Sequence, residues 1–134
     1  MQHHVSYRVY FEDTDAGGVM YHGNYIAFCE RARTELLLDT GYTNRDLKDD
    51  VGILFVVRHM DVNYLKPLLL EDKVDIYTSL HHIKNSSLIF KHIIKKDDVI
   101  VFENDVTLVC VDAKTVRPVK IPEDIKSRFS DYTE

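Results

Sequence analysis

Apolar residues recur at helical spacing in only one long stretch near the start of the chain. Over residues 24–40 a 3.6-residue period places five apolar residues on one stripe: Tyr25, Phe28, Cys29, Ala32 and Leu36. Asn24 is a suitable N-cap, and Gly41 is suited to the left-handed position that follows a helix. The pattern therefore predicts one amphipathic helix over residues 24–40.

Alternation of apolar and polar residues predicts five strands in the remaining chain. The first covers residues 5–11 and places Val5, Tyr7, Val9 and Phe11 on one face. The others cover residues 52–65, 73–83, 87–95 and 99–111, and Lys96, Asp97 and Asp98 form the turn before the last strand. The short loops between the last three strands favour antiparallel neighbours. A short helix that opens at Pro122 is predicted near the end of the chain.

This order of elements predicts an α+β fold with two layers. One amphipathic helix can cover one face of a five-stranded antiparallel sheet, and 134 residues suffice for a single domain over residues 1–134. The other face of the sheet is also rich in apolar residues: Tyr77, Ile89, Ile93, Val101 and Val109. We therefore expect a partner subunit on this face or along an edge strand.

Charge and composition narrow the class of protein. The formal net charge of −5 argues against a general nucleic-acid binder. No apolar run approaches the roughly 20 residues of a transmembrane helix, and no apolar signal segment precedes the first strand. Cys29 and Cys110 lie in apolar contexts without motif spacing, which favours buried thiols in a reducing compartment. A cytoplasmic protein is therefore expected.

A polar, glycine-rich loop joins the first predicted strand to the helix. It carries Asp13, Asp15 and His22 together with Gly17, Gly18 and Gly23. The helix that follows directs free N–H groups and the positive end of its dipole at this loop. A carboxylate beside such donors is suited to acyl chemistry, since it can act as a base or a nucleophile while the donors stabilise an oxyanion. The simpler interpretation is that Asp15 caps a turn.

Several segments of the chain resemble a known family. They are residues 12–22 (EDTDAGGVMYH), 24–25 (NY), 30–35 (ERARTE), 55–58 (FVVR) and 109–112 (VCVD). Together they resemble the hotdog-fold acyl-CoA thioesterases, most closely the subfamily associated with the bacterial Tol-Pal system, and they are more distantly similar to 4-hydroxybenzoyl-CoA thioesterase. The resemblance implies a long central helix wrapped by a five-stranded antiparallel sheet, in a homodimer or homotetramer. It also implies hydrolysis of acyl-CoA to a free acid and coenzyme A without a cofactor.

The resemblance also implies roles for individual residues. Asp15 would be the catalytic carboxylate, as general base or as nucleophile. His22 would lie at the start of the helix, with its backbone N–H facing the thioester oxygen, and its ring either takes part in catalysis or plays no role. Tyr21, Gly23 and Asn24 are expected to contact the substrate.

Other residues are assigned supporting roles. Asp13, Gly17 and Gly18 are expected to shape the loop. Arg58 is the preferred partner for the phosphates of coenzyme A, with a structural ion pair as the alternative. Phe11 departs from the family pattern, because close relatives have a second tyrosine there. Any role of a phenol at that place is therefore absent from this chain.

Three other functions are open on the sequence. An acyl-carrier-protein thioesterase would receive the acyl chain from a protein. A hotdog dehydratase is disfavoured, because the His-Phe-Pro pattern expected of that class is missing. An acyl-CoA-binding or scaffolding module tied to envelope lipid metabolism would bind thioesters without cleaving them. The histidines have no metal-ligand spacing, so no metal site is predicted.

Overall fold

The computed structural model describes all 134 residues as one long helix packed against a five-stranded antiparallel sheet. The strands are β1 (His3–Arg8), β2 (Ile53–Tyr64), β3 (Lys73–Ile83), β4 (Ser87–Lys96) and β5 (Val99–Asp112). The helices are α1 (His22–Asp39), α2 (Asn44–Asp46) and α3 (Glu123–Phe129). Short helical turns cover Phe11–Asp13, Leu47–Val51 and Ser130–Tyr132. None of the helices combines the length and apolar character needed to cross a membrane.

The spatial order of the strands is β1-β3-β4-β5-β2, and every neighbouring pair is antiparallel. Strands β3, β4 and β5 follow one another through short loops, as their loop lengths predicted. The first strand and β2 therefore form the two edges of the sheet. A β-bulge interrupts β2 between Val57 and His59.

The predicted apolar stripe of α1 is buried as expected. Phe28, Cys29, Ala32 and Leu36 have no exposed surface, and Tyr25 is 3% exposed. Gly41 has a φ of +96°, the left-handed conformation expected just after a helix.

The predicted start of α1 was wrong by two residues. The helix begins at His22 after an extended Tyr21. Asn24 is consequently not its N-cap, because its side-chain amide donates a hydrogen bond to Asp13 instead.

Strand β1 also differs from the prediction. It covers His3–Arg8, whereas residues 5–11 were expected. A carboxylate oxygen of Asp13 accepts a hydrogen bond from the backbone N–H of Tyr10 at 2.8 Å and turns the chain away from the sheet. Phe11 therefore lies in a helical turn and is 79% exposed, so its expected place in the first strand, on one face with Val5, Tyr7 and Val9, was wrong.

The segment after α1 contains a helical turn that the apolar pattern did not predict. At α2, the hydroxyl of Thr43 accepts a hydrogen bond from the backbone N–H of Asp46 at 2.9 Å. This is an N-terminal cap, for which a Thr followed three residues later by Asp is a readable sequence signal. The cap fixes the chain between α1 and β2.

The core between α1 and the sheet consists of two apolar clusters. One surrounds Leu36 and includes residues of α3, and the other surrounds Phe28. Thr78, His92 and Asn104 are polar, fully buried and directly opposite one another on β3, β4 and β5. The sheet therefore carries a row of buried polar side chains through its core, and this row bears on the cavity described below.

Candidate active site

Asp13 ties the glycine-rich loop to the start of α1. Its side chain is 2% exposed, and its two carboxylate oxygens accept hydrogen bonds at 2.8 Å from the Tyr10 N–H and from the side-chain amide of Asn24. Its backbone carbonyl accepts a hydrogen bond from the N–H of Tyr21 at 2.9 Å. These contacts are the ones expected of a residue that shapes the loop. They also use the side-chain amide N–H of Asn24 to support the loop.

Asp15 lies two residues further on, at the exposed end of the same loop. One of its carboxylate oxygens accepts a hydrogen bond from the Gly17 N–H at 2.9 Å, and its backbone carbonyl accepts one from the Gly18 N–H at 3.1 Å. Gly18 has a φ of +77°, which residues other than glycine rarely adopt. Asp15 thus caps its own turn with one oxygen. Its other oxygen, Oδ2, has no hydrogen-bond partner within the chain and is available to a ligand.

The first turn of α1 presents free N–H groups beside this loop. The backbone N–H groups of His22 and Gly23 donate to no acceptor within the chain, as is usual for the first residues of a helix. The ring of Tyr21 lies against both residues: its centroid is 4.3 Å from that of His22, and a Cβ placed on Gly23 would lie 2.7 Å from the ring. Any larger residue at position 23 would therefore clash with the Tyr21 ring, and glycine leaves room for it.

A cleft of about 310 Å³ opens at the start of α1. It is lined by seven residues, Met20, His22, Tyr25, Tyr64, Leu65, Lys66 and Pro67. The phenolic O–H of Tyr64 donates to the backbone carbonyl of His22 at 2.7 Å, and the O–H oxygen of Tyr25 accepts from the Leu68 N–H at 2.9 Å. The sequence had not singled out Tyr64, because the contact joins residues 42 positions apart.

Arg58 is not near this cleft within one chain. It is exposed and lies in the β-bulge of β2, six residues before Tyr64. At about 3.3 Å per residue the strand places the two roughly 20 Å apart. The structure therefore groups Asp13, Asp15 and residues 21–24 at one place and leaves Arg58 outside that group.

The two thiols of the chain do not contribute a nucleophile. Cys29 and Cys110 are free and buried, as predicted. Burial raises the pKa of the Cys29 thiol to about 12 and that of the Cys110 thiol to about 11. Both thiols are therefore protonated and unreactive near neutral pH.

A larger cavity of about 470 Å³ lies between α1 and β2. Phe55, Met60 and Phe90 form part of its apolar lining, and Glu30, Arg33 and Thr34 of α1 supply polar groups. Such a mainly apolar cavity with a few converging polar groups is the usual form of a small-molecule site.

The fold and the glycine-rich loop before α1 define the class of protein as a hotdog thioesterase. Residues 9–129 match the profile of the thioesterase-like superfamily. The acyl-CoA thioester hydrolase YbgC of Escherichia coli O6:H1 is 41% identical over 123 residues, which are 91% of each chain. The acyl-CoA thioesterase YbgC of Haemophilus influenzae is 34% identical over 122 residues, 91% of this chain and 90% of that one.

A solved structure of a probable thioesterase from Bartonella henselae has 30% sequence identity and a TM-score of 0.87, covering 91% of this chain and 100% of that one. The chain belongs to the thioesterase-like superfamily. The predicted family and the predicted hotdog fold are thereby confirmed.

Proposed function

We propose that this protein hydrolyses acyl-CoA thioesters to a free acid and coenzyme A. The observation that carries the proposal is the exposed Asp15 carboxylate in a loop that Asp13 and Asn24 fasten to the free N–H groups of α1. The activity named for the relatives in Escherichia coli and Haemophilus influenzae supports it. Coenzyme A enters as part of the substrate, and the reaction needs no cofactor.

Thioester hydrolysis requires a new C–O bond at the carbonyl carbon and loss of the C–S bond. In the first route Asp15 takes a proton from a water molecule, whose oxygen attacks the carbonyl carbon. In the second route the Asp15 carboxylate attacks directly, and water then cleaves the mixed anhydride. In both routes the thiolate of coenzyme A leaves and is protonated.

The oxyanion formed on the thioester carbonyl needs hydrogen-bond donors. The backbone N–H groups of His22 and Gly23 supply them without reorganisation, since they are free in the folded chain. Loss of one donor of this kind typically raises a barrier by about 3–4 kcal/mol. Tyr21 and His22 border the same place and are proposed to contact the substrate there.

The proposed enzyme is a cytoplasmic homo-oligomer. Edge strand β2 leaves one side of its backbone unpaired and exposes Val57, Val62 and Tyr64, by 48%, 37% and 44%. An edge strand with apolar side chains favours pairing with a second copy. A link to the Tol-Pal system and contact of Arg58 with the phosphates of coenzyme A are part of the same proposal and rest on the sequence resemblance.

The test is release of free thiol from a panel of acyl-CoAs by the wild type and by Asp15→Asn. Asparagine has nearly the same shape but cannot act as a base or as a carboxylate nucleophile, so kcat should fall by about 100-fold or more. Asp50→Asn, which changes an exposed carboxylate outside the site, is the matched control and should keep full activity.

The other functions correspond to distinct outcomes. Hydrolysis of acyl groups attached to acyl carrier protein, with none of acyl-CoA, would identify an acyl-carrier-protein thioesterase. Binding of acyl-CoA without cleavage would support the binding module. In a single turnover in ¹⁸O-water, label found in the Asp15 carboxylate would require the anhydride route, with water attacking the carboxyl carbon of Asp15.

A further inference from the structure

The cavity between α1 and β2 has charged and polar groups on its helix side, among the apolar Ile26 and Leu37. Its sheet side is lined by apolar residues such as Phe55, Met60 and Phe90. On its helix side Arg33 and Thr34 are partly buried, and Glu30 is exposed at the rim. A cavity that bound only hydrocarbon would gain nothing from a guanidinium in its wall, since placing a charge against apolar surface is unfavourable.

Arg33 has no carboxylate partner within the chain. None of the ion pairs of the fold includes it, and burial lowers the pKa of its guanidinium. Its one side-chain hydrogen bond joins Nη1 to Nε2 of His92, at 3.2 Å. A guanidinium has five N–H donors, so most of them are free to bind a ligand.

His92 holds this guanidinium in place from the core of the sheet. It is fully buried, and its Nδ1 lies 2.9 Å from the hydroxyl of Thr78. Burial and the neighbouring Arg33 keep the pKa of His92 well below its usual value, so the ring is neutral. Since Arg33 can only donate, Nε2 must accept and the proton must lie on Nδ1, facing Thr78. The buried row on β3 and β4 thus orients a cation at the cavity wall.

We propose that Arg33 selects acyl groups that carry an oxygen acceptor, a hydroxyl or a carboxylate, at the end remote from the thioester. The proposal rests on the proposed thioesterase function. Arg33 lies eleven residues after His22, so the helix separates their backbones by about 16 Å. The hydrocarbon part of the acyl group would pack against Phe55, Met60 and Phe90, and its terminal oxygen would accept from Arg33.

Glu30 distinguishes the two kinds of oxygen. It lies one turn before Arg33 on the same wall of the cavity. A terminal hydroxyl can accept from Arg33 and donate to Glu30, whereas a terminal carboxylate gains a stronger bond to Arg33 but meets the charge of Glu30. Glu30→Gln should therefore shift preference from the hydroxyl towards the carboxylate.

The test compares kcat/KM for acyl-CoAs of six and of ten carbons, each plain, ω-hydroxylated or ω-carboxylated. At one of the two lengths the wild type should prefer an oxygenated chain over the plain chain by roughly 10-fold to 100-fold, the usual effect of a hydrogen bond to a charged group. Arg33→Met keeps the length of the side chain and should abolish this ratio. Arg31→Met is the matched control, because Arg31 is exposed, lies over the Phe28 ring and does not line the cavity.

A change of fold is separated from a change of specificity by two further measurements. Arg33→Lys keeps the positive charge but lacks the planar guanidinium, and should retain part of the preference for oxygenated acyl-CoAs. Circular dichroism on each variant checks that it folds. An equal ratio in the wild type and in Arg33→Met would overturn the proposal. So would a dissociated oligomer with unchanged selectivity, because Arg33 would then pair with a carboxylate of a second copy.

An enzyme inert on every acyl-CoA would refute the proposed function instead. Calorimetric binding of the plain, ω-hydroxylated and ω-carboxylated ten-carbon acyl-CoAs still tests Arg33 in that case, because it needs no hydrolysis. Tighter binding of the two oxygenated acyl-CoAs, lost in Arg33→Met, would uphold the assignment of the cavity. Equal binding of all three acyl-CoAs would overturn it.

Discussion

Tyr64 fixes the start of α1 through one phenolic hydrogen bond. Its O–H reaches the backbone carbonyl of His22 at 2.7 Å. Its ring centroid lies 5.2 Å from that of Tyr25 and 4.9 Å from that of Phe102, so packing holds the phenol in place. Because the free N–H groups of His22 and Gly23 belong to the same turn, Tyr64 is a positioning residue for the proposed oxyanion donors.

Replacing this phenol should affect the chemical step more than binding. We expect Tyr64→Phe to lower kcat by about 3-fold to 10-fold with little change in KM, since one hydrogen bond of about 1 kcal/mol is lost while the ring packing remains. Steady-state kinetics measure this split. Tyr42→Phe is the control, because its hydroxyl bonds to Asp124 far from α1's first turn and its loss should leave kcat unchanged. An unaltered kcat in Tyr64→Phe would show that packing alone orients the turn.

At the scale of single elements, the β4–β5 hairpin has an unusual turn. Two residues, Asp97 and Asp98, join the strands, and their φ angles are +50° and +64°. Positive φ at both central positions is the type I′ turn, whose second position strongly favours glycine. The sequence correctly predicted a turn here, although its residues are not the best for that geometry.

Asp98→Gly should stabilise the protein. Glycine removes the steric cost of the left-handed conformation, and part of that gain is offset by the greater freedom of the unfolded chain. We expect the free energy of unfolding to rise by about 0.5–1 kcal/mol. Urea denaturation measures this change. Asp98→Ala, which has a Cβ and lacks the polar group that helps aspartate there, should shift the stability in the opposite direction, and equal effects of both variants would contradict the argument.

The sequence predicted elements better than it predicted their contacts. Strand β3 was predicted at its observed limits, residues 73–83, because its alternation is regular and its ends carry turn residues. The start of α1 was missed, because Asn24 suits an N-cap but is used by Asp13, eleven residues earlier. Local pattern cannot show which of two available partners a polar side chain takes.

The same distinction applies to the candidate site, where the sequence showed the residues of one motif but not their contacts from distant strands. Loop residues such as Asp13 and Asp15 are close in sequence, so their motif identified them. Tyr64 and His92 act on α1 from distant strands, and no local pattern connects them. Thr78, His92 and Asn104 each interrupt an apolar row on their own strand, but no local pattern shows that the three breaks lie side by side. The side chain of Asn104 is fully buried without a hydrogen bond to oxygen or nitrogen, and it lies against the Cys29 thiol.

For the whole molecule, the open edge of the sheet at β2 is the surface through which the proposed homo-oligomer would associate. The outer face is less exposed than its sequence suggested, because Val109 is 7% exposed within one chain. Val101, which was expected on this face, instead packs in the apolar cluster around Phe28. Edge strand β2, by contrast, keeps one side unpaired over twelve residues and has exposed apolar side chains. A second copy that pairs β2 with β2 about a two-fold axis would satisfy both edges at once.

Introducing a charge on this edge tests the association through β2. Val62→Lys should convert the proposed homo-oligomer to smaller species, since a lysine on an edge strand disfavours pairing with another strand. Val116→Lys is the matched control, because Val116 is 59% exposed in the loop after β5 and is not on the edge. Light scattering coupled to size-exclusion chromatography gives both masses. An unchanged mass in Val62→Lys would place the interface elsewhere, and the partly buried Tyr77, Ile89 and Ile93 of the outer sheet face would then be the surface to mutate.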